Sequence, residues 1–170
     1  EGLYATGRGK HVACWAHARR KVVETQGSAA SAAQTAREFI RRLYAVEKDR
    51  RKVASGPENA SPRQQQRDAQ APPILEEFRG WLEQHSPAAT PKSPLGEAIR
   101  YALKNWETLG RYREHSYRSI DNNLSERTLR PGAVGRKNGM FWGSVEGGRT
   151  AAVLYRVVGT CKPQGIDPFA

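Results

Sequence analysis

Asn122, Glu126 and Arg130 recur at i, i+4 and i+8, which lines up an amide, a carboxylate and a guanidinium on one face of a helix. A carboxylate presented this way is a suitable oxygen ligand for Mg²⁺ or Mn²⁺, and nearby arginines can hold phosphates. The same spacing also suits a surface ion pair between Glu126 and Arg130, so spacing alone leaves both readings open. Arg127, Arg130, Arg136 and Lys137 surround this stretch, and Arg19, Arg20 and Lys21 form a second basic run. Both suit contacts to a DNA backbone, which give salt-dependent affinity without reading sequence; solvated charged faces are the alternative. Cys14 and His17 have the C-x-x-H spacing of half a zinc site, but no second close pair accompanies them. A buried cysteine and a hydrogen-bonded histidine is the commoner outcome.

The composition agrees with a nucleic-acid partner. Twenty-eight Lys and Arg against 17 Asp and Glu leave a formal charge of +11 over 170 residues, and such an excess attracts phosphate backbones through counterion release. The length suits one domain, or one domain with an inserted subdomain. No run of eighteen apolar residues occurs and no secretory signal begins the chain, so neither a membrane span nor export is expected and the default compartment is the cytoplasm. Two cysteines far apart, Cys14 and Cys161, do not make a disulfide framework.

The elements that must position these residues are mostly helical. Val12, Cys14 and Trp15 read as a short buried strand before charged helical spacing. Residues 28–53 place Ala36, Ile40 and Leu43 on one apolar face, which predicts a long amphipathic helix ending near Ser55-Gly56-Pro57. Residues 58–71 are polar, rich in Gln and Arg, and read as an exposed helix or a mobile stretch; Pro72-Pro73 reads as a break. A third helix follows to His85, and Ser93-Pro94 opens another that runs to Gly110. In the last third, a short helix over 121–130 precedes a turn at 135–139, a strand at Met140-Phe141-Trp142 and a final helix from Arg149 to Cys161. Apolar residues cover most of that last helix, which predicts a place in the core.

Three motifs occur in order: Cys-Trp-Ala-His-Ala-Arg-Arg-Lys at 14–21, Ile-Asp-Asn-Asn-Leu-Ser-Glu-Arg-Thr-Leu-Arg-Pro at 120–131, and Gly-Arg-Lys-Asn-Gly-Met-Phe-Trp-Gly-Ser at 135–144. Together with the stretches at 146–155 and 160–168, they resemble the transposases of the insertion-sequence-66 family. The resemblance implies an α/β, mostly helical protein: the C-terminal portion of a ribonuclease-H-like core with a helical insertion. Residues 1–27 would end the core's first part, 28–115 would be the insertion, and 116–170 would carry the Glu126 helix, a hairpin and the closing helix. The resemblance also implies three acidic residues that bind two divalent metals, Mg²⁺ or Mn²⁺, and catalyse DNA strand cleavage and transfer.

Glu126 matches the family's third acid, with Asn122 and Asn123 beside it. The first two acids lie upstream of the Cys-Trp-Ala-His segment in the family, and neither is among these residues. Asp49, Asp68, Asp121 and Asp167 stand in unsuitable contexts to replace them. The expectation is therefore a piece of a DDE-type transposase catalytic domain, inactive alone, whose partners are transposon ends and target DNA and, beyond these, a homo-oligomer or other transposition proteins. A non-catalytic basic DNA-binding or assembly module is the alternative.

Overall fold

The computed structural model describes residues 10–52, 60–123, 126, 127, 130, 134, 144–161 and 164–168. The chain divides into two compact units, Glu1–Asp121 and Asn122–Ala170.

The first unit is built of helices. Helix α1, Trp15–Glu24, buries Trp15, Ala18 and Val22, one stripe at helical spacing. It stops where the Thr25 hydroxyl donates to the Val22 carbonyl at 2.7 Å. Helix α2, Ala30–Lys52, turns Ala33, Ala36, Ile40, Leu43 and Val46 inward. Helix α3, Ala60–His85, answers with Ala71, Ile74, Leu75, Phe78 and Leu82. Phe78 is the hub of the aromatic core. It stacks on Phe39 with ring centres 5.0 Å apart and lies 6.1, 6.2 and 5.9 Å from Trp15, Trp81 and Trp106, distances at which aromatic pairs add to simple burial.

Helix α4, Pro94–Lys104, begins as its sequence predicts: the Ser93 hydroxyl accepts from the Gly96 amide at 3.1 Å and proline occupies the first turn. A Cβ on Gly96 would run into the Thr90 carbonyl oxygen, so the loop before α4 closes only over a glycine. The expected single helix to Gly110 is interrupted at Asn105, whose side-chain amide donates to the Tyr101 carbonyl at 2.8 Å. Helix α5, Trp106–Gly110, and a 3₁₀ turn, Arg111–Glu114, complete the run.

Two further expectations fail in this unit. The strand expected at Val12, Cys14 and Trp15 does not form: no described residue is in a strand, Trp15 already opens α1, and residues 12–14 lie in no regular element. Their amides find other acceptors: Ala13 donates to the Thr108 carbonyl at 3.0 Å and Trp15 to the Ile120 carbonyl at 3.2 Å, which satisfies the buried backbone without a ladder. Nor does Pro72-Pro73 break the chain, because both prolines lie inside α3. They withdraw the amides that Asp68 and Ala69 carbonyls would normally meet. Continuity is kept by burial on either side, at Ala71, Ile74 and Leu75, and by one arginine.

That arginine is Arg67, 0% exposed, from the polar stretch that carries no apolar face. Its guanidinium makes five hydrogen bonds. Nε and Nη2 donate to the two carboxylate oxygens of Glu47 on α2 at 2.8 and 2.7 Å; Nη1 donates to the carbonyls of Tyr112 and His115 at 2.7 and 2.8 Å; Nη2 also donates to the Arg118 carbonyl at 2.9 Å. An arginine has five N–H donors, and all are used. The group also lies 5.1 Å from the centre of the Tyr112 ring.

In the second unit, helix α6, Val145–Cys161, starts four residues earlier than the sequence suggests. The Ser144 hydroxyl accepts from the Gly147 amide at 3.0 Å, so both glycines fall inside the first turn. After the helix, Gly165 takes a φ of 66°, a left-handed conformation open to glycine, and the Ile166 amide closes onto the Cys161 carbonyl. The expectation that this helix is core is not met. Ala151 is buried, but Val153 and Leu154 are about three-fifths exposed and Val157 nearly half. A helix apolar round most of its girth needs cover on several sides, and the described residues do not provide it. The strand expected at 140–142 lies outside the described residues.

Arg67→Met should cost about 3–5 kcal/mol, because it breaks a buried ion pair and removes the donors that satisfy the Tyr112, His115 and Arg118 carbonyls; urea unfolding of the two proteins measures it. Gly96→Ala should cost about 1–3 kcal/mol through the clash with Thr90, seen as a lower urea midpoint at unchanged slope.

Candidate functional site

Glu126 is exposed and helical in its own backbone. Its amide donates to the Asn122 carbonyl at 2.9 Å, and Arg127 Nε donates to the Asn123 carbonyl at 3.4 Å. The Glu126 amide bond closes one helical turn, which places Asn122 and Glu126 on the same face; Arg130 is helical in its own backbone. Asn122, Asn123, Arg127 and Arg130 are exposed as well. Arg136 and Lys137 lie outside the described residues.

The segment that leads into this turn is fixed firmly. Ile120 is fully buried and its carbonyl holds the Trp15 amide, while the Arg118 carbonyl is held by Arg67. The Tyr44 hydroxyl donates to the Asp121 carboxylate. Burial first, then the negative charge and hydrogen bond of Asp121, push the Tyr44 phenol well above its ordinary value of 10.0. Three separate elements thus grip residues 118–121.

The basic run at 19–21 does not form one patch. Successive helical residues point about 100° apart. Arg19 lines a cleft between α1 and α2. Lys21 turns to the other side, where its ammonium lies 5.5 Å from the centre of the Tyr101 ring and beside Glu24 and Glu97. Arg20 is exposed.

The cleft that receives Arg19 brings in residues whose spacing in α2 the sequence displays without announcing a role. Arg37 and Arg41 stand one turn apart and face Arg19, with Gln34 and Tyr44 on the same stripe. Arg41 is held by Glu38 in a two-bond fork of 2.7 and 2.6 Å. The hydrogen bond and charge of Glu38 hold the Arg41 guanidinium above its usual value, and the Glu38 carboxyl sits below its own for the converse reason.

Cys14 is buried and caps α1 through its backbone, its carbonyl accepting from the His17 and Ala18 amides at 3.2 and 3.4 Å. Among the described residues no group of three or more His, Cys, Asp and Glu side chains could hold a metal ion. No described helix is long and apolar enough to cross a membrane.

The described residues thus define a basic, helical protein that presents a carboxylate on an exposed turn behind a tightly held segment. The chain belongs to the family described as Transposase IS66 family, which matches residues 1–150. It is 32% identical over 157 residues to the uncharacterized protein y4jD of Sinorhizobium fredii (strain NBRC 101917 / NGR234), covering 92% of this chain and 30% of that protein. It is 36% identical over 157 residues to protein y4qI of the same organism, also uncharacterized, covering 92% of this chain and 28% of that protein. The chain therefore spans less than a third of the length of these relatives. No solved structure matches it.

Tyr44 gives the fold an alkaline limit. Below about pH 10 the phenol is neutral in both states; above it the unfolded chain loses the proton first, so stability falls as pH rises until the folded phenol ionises. Thermal unfolding of the wild type should decline more steeply above pH 10 than that of Tyr44→Phe, and parallel curves would refute this.

Proposed function

We propose that this chain is part of the catalytic region of a DDE-type DNA transposase, with Glu126 as one of its acidic residues and its basic surface holding DNA. The observation that carries the reading is the helical turn itself: within a family-specific motif, an exposed carboxylate is flanked by Arg127 and Arg130. Strand cleavage and transfer belong to the longer protein. On this reading the helices here are the C-terminal portion of a ribonuclease-H-like core and its helical insertion.

Mg²⁺ or Mn²⁺ fits the donor chemistry of Glu126 and Asn122, since both offer hard oxygens. It does not fit the number of donors, because the described residues bring no cluster of acids together and a two-ion site needs several carboxylates to bridge it. Glu126 is therefore proposed as a single ligand, to be completed by residues elsewhere in the longer protein. What this chain does by itself is bind DNA: its arginines neutralise phosphates and set a strand in register without reading bases. That half also supports the second reading, a DNA-binding or assembly module without catalysis, because the Arg19 cleft lies wholly within the first unit.

The deciding test is Mn²⁺-dependent nicking of plasmid DNA by this chain and by a form extended upstream to the missing acids. The extended form should nick and the short one should not. Glu126→Gln in the extended form should lower nicking by at least a hundredfold while leaving DNA affinity intact. Undiminished nicking by that variant would remove Glu126 from the catalytic set, and nicking by the short chain would disprove its proposed inactivity.

A further inference from the structure

We propose that the cleft between α1 and α2 is a binding site for the phosphodiester backbone of DNA, formed by Arg19, Arg37 and Arg41. The proposal rests on the DNA-binding reading above and adds a place and, beside Arg19 of the 14–21 motif, two residues that the family motifs do not include, Arg37 and Arg41. The cleft encloses about 580 Å³ and is open to solvent along one side. Arg19 enters from α1; Gln34, Arg37, Arg41 and Tyr44 enter from α2 at intervals of three and four residues, which keeps them on one stripe. Lys48 continues that stripe one turn further and is exposed. From Gln34 to Lys48 the stripe runs about 21 Å at 1.5 Å per residue, a length over which one DNA strand carries about six phosphates.

The side-chain chemistry selects the ligand. Arg19 and Arg37 are exposed on the lining of the cleft, and among the described residues no hydrogen bond or salt bridge engages either guanidinium; the charge of Arg19 is felt at the Tyr44 phenol. Gln26 and Gln34 add amide donors at the rim, the kind of group that reaches phosphate and sugar oxygens rather than base edges. The buried side of Ile40 and the half-buried Tyr44 close the floor. A small organic molecule would find little apolar enclosure here, whereas a charged backbone laid along the groove meets guanidinium groups from both walls. Glu38 stands at the same rim and occupies the Nε–Nη2 edge of Arg41. A phosphate that approaches the remaining donors meets the charge of that carboxylate, and one that takes the same edge must displace it, which makes Glu38 a brake on binding.

The test is the affinity of the 170-residue chain for a fluorescent 20-base-pair duplex, measured by anisotropy from about 50 to 200 mM salt. Arg19→Ala/Arg37→Ala should weaken binding and lower the slope of log K against log salt by about 2, close to 1 per phosphate contact. Arg19→Lys/Arg37→Lys should restore most of the slope. Glu38→Gln should tighten binding and raise the slope by about 1, an effect that damage to the fold would not produce. Lys92→Ala/Lys104→Ala, on exposed positions away from the cleft, should change the slope less than the cleft pair does. If the wild type binds with a steep salt slope but the cleft pair alters it no more than the Lys92 pair, the cleft proposal is overturned and the DNA-binding reading stands. If the wild type shows no salt-dependent binding, both fall. Stronger binding to single-stranded RNA than to the duplex, lost on the same substitutions, would overturn the assignment to DNA.

Discussion

The Arg67–Glu47 pair is the constraint on which the first unit depends. Apolar faces alone allow α2 and α3 to slide by a turn at little cost, since one aliphatic stripe packs on another in several registers. A buried guanidinium does not. With 0% and 2% exposure for the two side chains, any register that separated them would break an ion pair inside the protein. Because the remaining donors take the carbonyls of Tyr112, His115 and Arg118, the same group fixes the 3₁₀ turn and the loop after it. That loop is irregular chain near the protein interior, where its carbonyls need partners that regular structure does not supply. Arg67 supplies two of them, at His115 and Arg118, and a third for Tyr112 in the turn.

Little of this is visible in the sequence. The α2 stripe, the aromatic face of α3 and the Ser93-Pro94 start of α4 all follow from periodicity and capping chemistry, which act locally. Arg67 lies among Gln64, Gln65, Gln66 and Asp68, in a stretch whose polarity signals exposure. Its burial depends on a carboxylate twenty residues earlier and on carbonyls 45 to 51 residues later. Glu47 follows Val46 on a helix with many charges, and nothing in its type marks it as the inward one. The prolines mislead for a related reason: 72 and 73 carry a strong local preference to end a helix, yet core contacts on both sides outweigh it. The missing strand at 12–14 has the opposite cause. Its apolar residues are buried as expected at Ala13 and Cys14, but a strand is defined by a neighbour, and here the amides pair with single carbonyls.

The candidate site was legible in its residue types and only partly in its grouping. Glu126 and its neighbours stand on one turn because i, i+4 spacing acts within a few residues. The run at 19–21 shows why adjacency in sequence is a poor guide on a helix: three consecutive cations fan out over about 200° of the circumference. Arg37 and Arg41 are separated by other residues and yet face the same groove as Arg19. Their four-residue spacing was the available signal, but it predicts only that they share a face, and which wall stands opposite is a tertiary fact.

The two parts of the first unit with functional interest share one set of supports. Tyr44 belongs both to the floor of the Arg19 cleft and, through its hydroxyl, to the grip on Asp121. Asp121 is followed directly by Asn122, where the turn bearing Glu126 begins. Trp15 joins the same segment from α1, its amide on the Ile120 carbonyl and its indole on the Leu109 carbonyl at 2.9 Å. The chain therefore enters the Glu126 turn from a point held by α1, α2 and α3 at once. Three supports thus converge on residues 118–121, a part of the chain with no regular structure of its own, whose irregular backbone is held by single contacts from three helices of the same unit rather than by a ladder.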